Sequence, residues 1–260
     1  MKCRLWLFLI LASIILLFAP VSAVTCDSGT LDTTCNITTS QNVTGEDISG
    51  SGNLVIRNGG DLWTDSGPDT TVAINMAGYV AIESGGSITG NANITTANLT
   101  IETGGEINVD YKGYAGGPKL SAGFGSGAGG TGTGGGGAGH GGNGGNGYGS
   151  AGGTSYDSLT EPQDLGSGGG GGGTASAGSG GAGGGLLKLY VSETLAVNGS
   201  IQANGGGGSV SDGRGGGGGS GGSIWIDAKM ITGTGTIRAN GGNGGDSSYD
   251  GGGGAGGRIA

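Results

Sequence analysis

An all-β fold, a parallel β-helix (β-solenoid) with glycine-rich loop insertions, is what this sequence predicts. Three observations carry that expectation. A short apolar-x-Ile-x-x-Gly-Gly-x-apolar unit recurs in the first half, and a longer unit with the same alternation recurs in the second. Three glycine tracts follow equivalent positions of these units. An antiparallel β-sandwich is the alternative, because glycine-rich turns also suit hairpins.

The short unit runs Leu54–Leu62, Val80–Ile88 and Leu99–Ile107, with starts separated by 26 and 19 residues. Alternating apolar positions indicate strand. The Gly-Gly pair indicates a tight turn, where positive φ is tolerated. Short strand, turn and short strand, repeated about every 20 residues, describe the coil of a solenoid. In the second half, Leu187–Val191 and Ser200–Gly205 recur as Ile224–Ala228 and Thr236–Gly241, offset by 36 to 37 residues. Leu187, Leu189, Val191, Ile224, Ile226 and Ala228 are expected to face inward, and Lys188, Tyr190, Trp225 and Asp227 outward.

Glycine sets the layout, with 73 in 260 residues. It concentrates in 113–185, 205–222 and 241–257. A collagen helix is excluded by the missing Gly-X-Y period and by a total of only four prolines. Ile107-Asn108-Val109-Asp110, Ile201-Gln202-Ala203-Asn204 and Ile237-Arg238-Ala239-Asn240 each precede a tract, which places the tracts at one corner of the repeat. Flexible linker is the base expectation for such composition. Ordered stacking of bare backbone is the sharper alternative, and its entropic cost is large. Gly256-Gly257-Arg258-Ile259 repeats the opening of Gly221-Gly222-Ser223-Ile224, so a new strand is expected to begin there, with its edge covered by further chain or by a partner.

The expected organisation is a signal peptide over 1–23, a disulfide-bearing cap over 24–45, short rungs over 46–112, a glycine-rich insertion over 113–185 and longer rungs over 186–260. The signal rests on Lys2 and Arg4, the apolar run Leu5 to Phe18, the break at Pro20 and small residues through Ala23. The apolar run is shorter than a spanning helix needs. Cleavage makes the protein secreted or cell-surface, and an uncleaved 5–23 segment makes it membrane-anchored. Without Lys2 and Arg4 the chain keeps 8 basic against 19 acidic residues, a net charge of −11. Nucleic acid and anionic membrane, which need a basic face, are excluded as partners. Contact with membrane is expected only through an uncleaved signal or a C-terminal anchor beyond this sequence. Cys26 and Cys35 form an even pair in an exported chain and are expected to be disulfide-bonded. Asn36, Asn42, Asn93, Asn98 and Asn198 head Asn-x-Ser/Thr sequons and are candidate glycosylation sites.

No catalytic, cofactor or metal residue is assigned, and no enzyme activity is expected. Gly125–Gly130 matches a dinucleotide fingerprint and Gly218–Gly222 a nucleophile elbow, but neither has the strand and helix that give such motifs meaning. His140, the single histidine, is read as a solvated loop residue. Arg57, Glu83 and Glu102 would stack as a ladder on successive rungs, with Asp110, Asp227, Asp246 and Asp250 as further carboxylates. A solvated acidic face is the expected reading, since a calcium repeat needs an Asp in every copy. Trp63, Tyr79, Tyr111, Tyr114, Tyr190 and Trp225 are candidate sugar platforms or rung-corner packing.

The rungs, the corner-inserted glycine tracts and the signal together make residues 45–260 resemble glycine-rich, β-helical surface or adhesin-like proteins of prokaryotes. The resemblance implies surface display, adhesion or envelope structure, with surface polysaccharide or envelope proteins as partners and no cofactor. A β-helical carbohydrate-active enzyme, of which this chain is the N-terminal part, is the rival. A glycine-rich ice- or matrix-binding protein is the third reading.

Overall fold

The computed structural model describes residues 24–68 and 70–260. The expected signal at 1–23 lies outside them. Sixteen strands are described: β1 (Thr34–Ile37), β2 (Ser40–Asn42), β3 (Asp47–Gly50), β4 (Asn53–Ile56), β5 (Asp61–Trp63), β6 (Val72–Ile82), β7 (Ser87–Thr89), β8 (Ala92–Ile101), β9 (Glu106–Asn108), β10 (Leu186–Val197), β11 (Ser200–Gln202), β12 (Val210–Ser211), β13 (Arg214–Gly215), β14 (Ser223–Thr232), β15 (Thr236–Arg238) and β16 (Arg258–Ile259).

These strands correct the predicted fold class. The chain does not build a closed β-helix with loose glycine loops. It builds two open parallel sheets, one of eight strands in the order β1-β4-β6-β8-β10-β14-β16 with β3 beside β6, the other of six in the order β15-β11-β9-β7-β5-β2. Neither sheet closes on itself. The antiparallel sandwich fails too, since every pairing within the two large sheets is parallel and, among the described strand pairs, only β12–β13 is antiparallel. The reason lies in glycine. A solenoid wall stacks inward-facing side chains into a core, whereas the glycine tracts have none to stack, bond in several directions at once and form a separate body.

The alternation sorts side chains as expected. Leu54, Val80, Leu99 and Leu195 are in register across β4, β6, β8 and β10, as are Ile56, Ile82, Ile101 and Val197. Leu62, Ile88, Ile107 and Ile201 form the facing column of the second sheet, and all of these residues are buried. Burying each such side chain stabilises by roughly 1.5–3 kcal/mol. The 26- and 19-residue offsets are those of the pairs Leu54–Val80 and Val80–Leu99, and the longer offset is that of Leu187–Ile224. The Gly-Gly turns adopt positive φ at Gly59, Gly85 and Gly104. A disulfide joins Cys26 to Cys35, and Asp27 Oδ2 accepts hydrogen bonds from the Thr38 and Thr39 amides, which ties the first described residues onto β1.

β6, β8 and β10 each shift register at one level, after Met76, Thr96 and Val191. There the sheet bends. Thr96, buried in an otherwise apolar column, donates through Oγ1 to the carbonyls of Gly78 (2.9 Å) and Asn98 (3.3 Å) and so stabilises the bend. Gly78 is required at it, because a Cβ there would overlap Asn53 and Gly52.

The glycine tracts are ordered. Residues 216–222 show how. Gly216, Gly219 and Gly222 donate to the carbonyls of Ser209, Gly206 and Ala203, Gly217 and Ser220 donate to Gly170 and Ser167, and Gly218 and Gly221 donate to Gly252 and Ala255. The direction of donation rotates with a period of three, as in an extended helix of three residues per turn. Carbonyls of the same segment accept from Gly245 and Gly242, from Gly181 and Gly184, and from Ala138. One bare backbone is therefore surrounded by six others. A Cβ on Gly217 would overlap the Gly136 carbonyl, and one on Gly219 the Ala182 carbonyl. Each net hydrogen bond contributes only about 0.5–1.5 kcal/mol, so glycine's large ordering entropy is met by bonding almost every amide.

Candidate functional site

The bundle and the sheets meet at polar side chains. Asn91, fully buried, donates to the carbonyls of Gly67 and Lys112 and accepts from the Leu186 amide at 2.9 Å. Asp110 accepts from the Asn204 amide at 2.6 Å, and Asn204 Oδ1 accepts from the Asn240 amide at 2.8 Å. This is the repeat corner at which the tracts leave the strands. Its Asp and Asn residues hold successive turns together and leave Asp110 engaged with structure rather than free for chemistry.

His140 is not a solvated loop residue, as the sequence suggested. It is fully buried in the bundle. Its Nδ1 lies 2.7 Å from the Gly221 carbonyl, which only accepts, so Nδ1 carries a proton. The ring thus replaces a backbone amide in the lattice around residues 216–222. Nε2 lies 3.2 Å from Asp157 Oδ2 and 3.4 Å from Ser223 Oγ, and the ring stacks on Tyr156 with centroids 4.6 Å apart. Asp157, with a side chain 4% exposed, also accepts from the amides of Ser158, Gln163 and Asp164. Burial alone would raise its carboxyl, but these amides and His140 outweigh burial and hold it below the usual range. Burial pushes the neighbouring Tyr156 hydroxyl up to about 12. That hydroxyl donates to the Leu165 carbonyl and accepts from Ser167 Oγ at 2.8 Å.

Serine, histidine and aspartate are therefore adjacent, but not as a nucleophilic triad. In a triad the two ring nitrogens divide the work, one facing the acid and the other the serine. Here Nε2 faces both, and Nδ1 faces a backbone carbonyl. Ser223 is fully buried and donates to the Asp164 carbonyl at 2.7 Å. The cluster fastens the 157–164 loop to the bundle. The dinucleotide-like and elbow-like glycine motifs lie in the bundle too, where Gly129 and Gly219 already donate to Gly168 and Gly206.

The other predicted site residues are spread widely. Arg57 bridges Glu83 through Nη1 at 2.8 Å and donates from Nε to Asn36, so the expected ladder is an ion pair with Glu102 beside it. No group of three metal-ligating side chains occurs among the described residues. Among the sequons, Asn42, Asn98 and Asn198 are exposed, while Asn36 and Asn93 are half-buried. Asn36 Nδ2 already donates to Ser28 Oγ. Of the aromatics, Tyr111 and Tyr114 line a cleft of ≈ 500 Å³ with Phe124, Pro68 and Ala182. Sequence reasoning missed Phe124, which only the bundle brings beside the tyrosines.

The bend in the larger sheet forms an open groove of ≈ 510 Å³. Ala77, Thr95, Ala97, Tyr190, Ser192, Asp227 and Lys229 line it. A smaller hollow beside Ser49, Asn75 and Ala77 extends the same line toward β3. Tyr190 packs edge-on against Trp225 with centroids 5.2 Å apart, and Lys188 Nζ sits 5.8 Å above the Trp225 ring. The arrangement offers a ring, hydroxyls, a carboxylate and an ammonium along a shallow channel, which suits binding. No family model, no curated protein and no solved structure matches the chain.

Proposed function

We propose that this protein is an exported structural and adhesive module of the cell surface or secreted matrix, working by rigid display rather than by catalysis. The observation that carries the reading is the glycine bundle. Its backbone groups bond to one another, so three low-complexity tracts form a stiff body beside the sheets. A chain meets the entropy of ordering this much glycine where a fixed shape is what function requires. The single histidine supports the same reading, since it is consumed in holding that shape. The acidic surface, the leader-like N-terminus and the disulfide suit an oxidising, extracellular setting. No helix of the described residues is long and apolar enough to cross a membrane.

Fractionation of cells expressing the tagged full-length chain tests this reading, with protease added outside intact cells. Recovery in the envelope or medium, with retention of cells on envelope-coated surfaces that is lost on deletion, is the expected result. Retention of the chain inside the cell, or a deletion without effect on adhesion or envelope integrity, would overturn it.

A further inference from the structure

We propose that the groove at the bend of the larger sheet is a binding site for a neutral glycan chain, with Tyr190 as its stacking platform. The inference rests on the adhesive reading above and names the ligand of that function. The geometry comes from register. Ser49, Asn75, Thr95, Tyr190 and Asp227 are paired in one outward column across β3, β6, β8, β10 and β14. Four strand spacings of about 4.8 Å make that column roughly 19 Å long. Such a length suits several linked sugar units rather than one small molecule.

The column beside it keeps the channel open. Ala77, Ala97 and Ser192 occupy the register shifts, where the strands bend away and small side chains leave depth. Polar groups then line an otherwise apolar floor. Thr95 and Ser192 supply hydroxyls, Asn75 an amide, and Asp227 an exposed carboxylate. Lys229 is held by Glu193 at 2.7 Å, so its charge is compensated. Sugar rings present hydroxyls that both donate and accept, together with an apolar C–H face. A half-buried tyrosine flanked by acceptors matches both properties. Lys188 lies over Trp225, so Tyr190 rather than Trp225 is the free platform, and Trp225 sets its angle. A formal charge of −9 and the carboxylate at Asp227 disfavour acidic glycans.

The test is calorimetric titration of the purified full-length chain with cellohexaose, chitohexaose, mannohexaose and, as the acidic probe, hexagalacturonate, alongside Trp fluorescence. Binding of at least one neutral hexasaccharide is expected, with a change in Trp225 emission. Tyr190→Ala should weaken it at least about fivefold. Ser192→Arg, an exposed substitution that fills the channel, should do the same if Tyr190→Ala fails to fold. Binding of none of the neutral probes, binding unchanged in Ser192→Arg, or tighter binding of hexagalacturonate would each overturn the assignment. Surface fractionation is unaffected by any of these results, so a failed groove and a failed adhesive reading remain distinguishable.

Discussion

The strand-bearing region from β1 to β9 and the glycine bundle are ordered by opposite means. The first buries isoleucine, leucine and valine in columns and leaves most of the alternate positions partly exposed. The second has almost no side chains to bury and orders itself through amides and carbonyls aimed at six neighbours. Both interiors are dense, but they tolerate different errors. A column of Ile and Leu adjusts to a lost methyl. A backbone lattice has no room for a gained one.

The most severe way to break the comparison is Ile101→Asp. Ile101 is fully buried between Ile82 and Val197, and an unpaired charge there should cost at least about 4 kcal/mol. Circular dichroism should show loss of the sheets, and a normally folded variant would remove Ile101 from the core. Gly217→Val comes next, at about 3 kcal/mol or more, because nothing flexible can yield to its side chain. Amide exchange should rise across 113–257 while 34–109 stays protected. Equal loss in both regions would mean that the two bodies fold as one unit.

Replacing Cys26 and Cys35 with Ser should cost about 2–3 kcal/mol by the loop-entropy argument, confined to the first strands. Proteolysis near residue 30, with the bundle intact, is the readout. Asp157→Asn should cost about 1–3 kcal/mol, since an amide cannot accept from all the donors now facing the carboxylate. Its pH signature is specific. The folded carboxyl is held below its ordinary value, so its contribution is present above about pH 4 and is lost as pH falls through the lowered folded value. Thermal melts of Asp157→Asn should be flatter than wild type in that acid window. Arg57→Ala is the mildest, at less than about 1 kcal/mol, because the Arg57–Glu83 pair lies at the surface with both side chains partly exposed to screening solvent. A larger drop would give the ion pair a role in register.

The sheets were legible because side chains alternate, and a period of two is visible in Leu99–Ile101 or Leu187–Val191 without any structure. The Asp110, Asn204 and Asn240 corner was legible for the same reason, since its residues repeat in place. The fold class was misjudged where the pattern ends. Glycine carries no side-chain alternation, so the composition left loose loops and ordered stacking both open and did not reveal that the tracts bond into one body. Glycine purity does not report depth either: 215–219 is buried, while the equally pure 251–254 lies near the rim. His140 was misread because its partners, Gly221 and Asp157, are 81 and 17 residues away and meet only through the bundle. The groove was half visible, in that Tyr190 and Trp225 were expected to point outward. The shared register shift that gives it depth depends on Thr96 and Gly78, whose roles appear only once strands are paired.

A bundle made of peptide groups also has an unusual thermal character. Exposing apolar surface raises heat capacity by about 0.45 cal/K/mol per Å², whereas exposing polar surface lowers it by about 0.26. Melting the isoleucine columns should therefore follow the usual curved dependence of stability on temperature, weakening in the cold as well as in the heat. Melting the glycine lattice releases mostly peptide surface, and its heat-capacity step should be small or even reversed in sign. The part of the chain that looks least like a protein core would then keep gaining stability on cooling, where the sheets pass through a maximum.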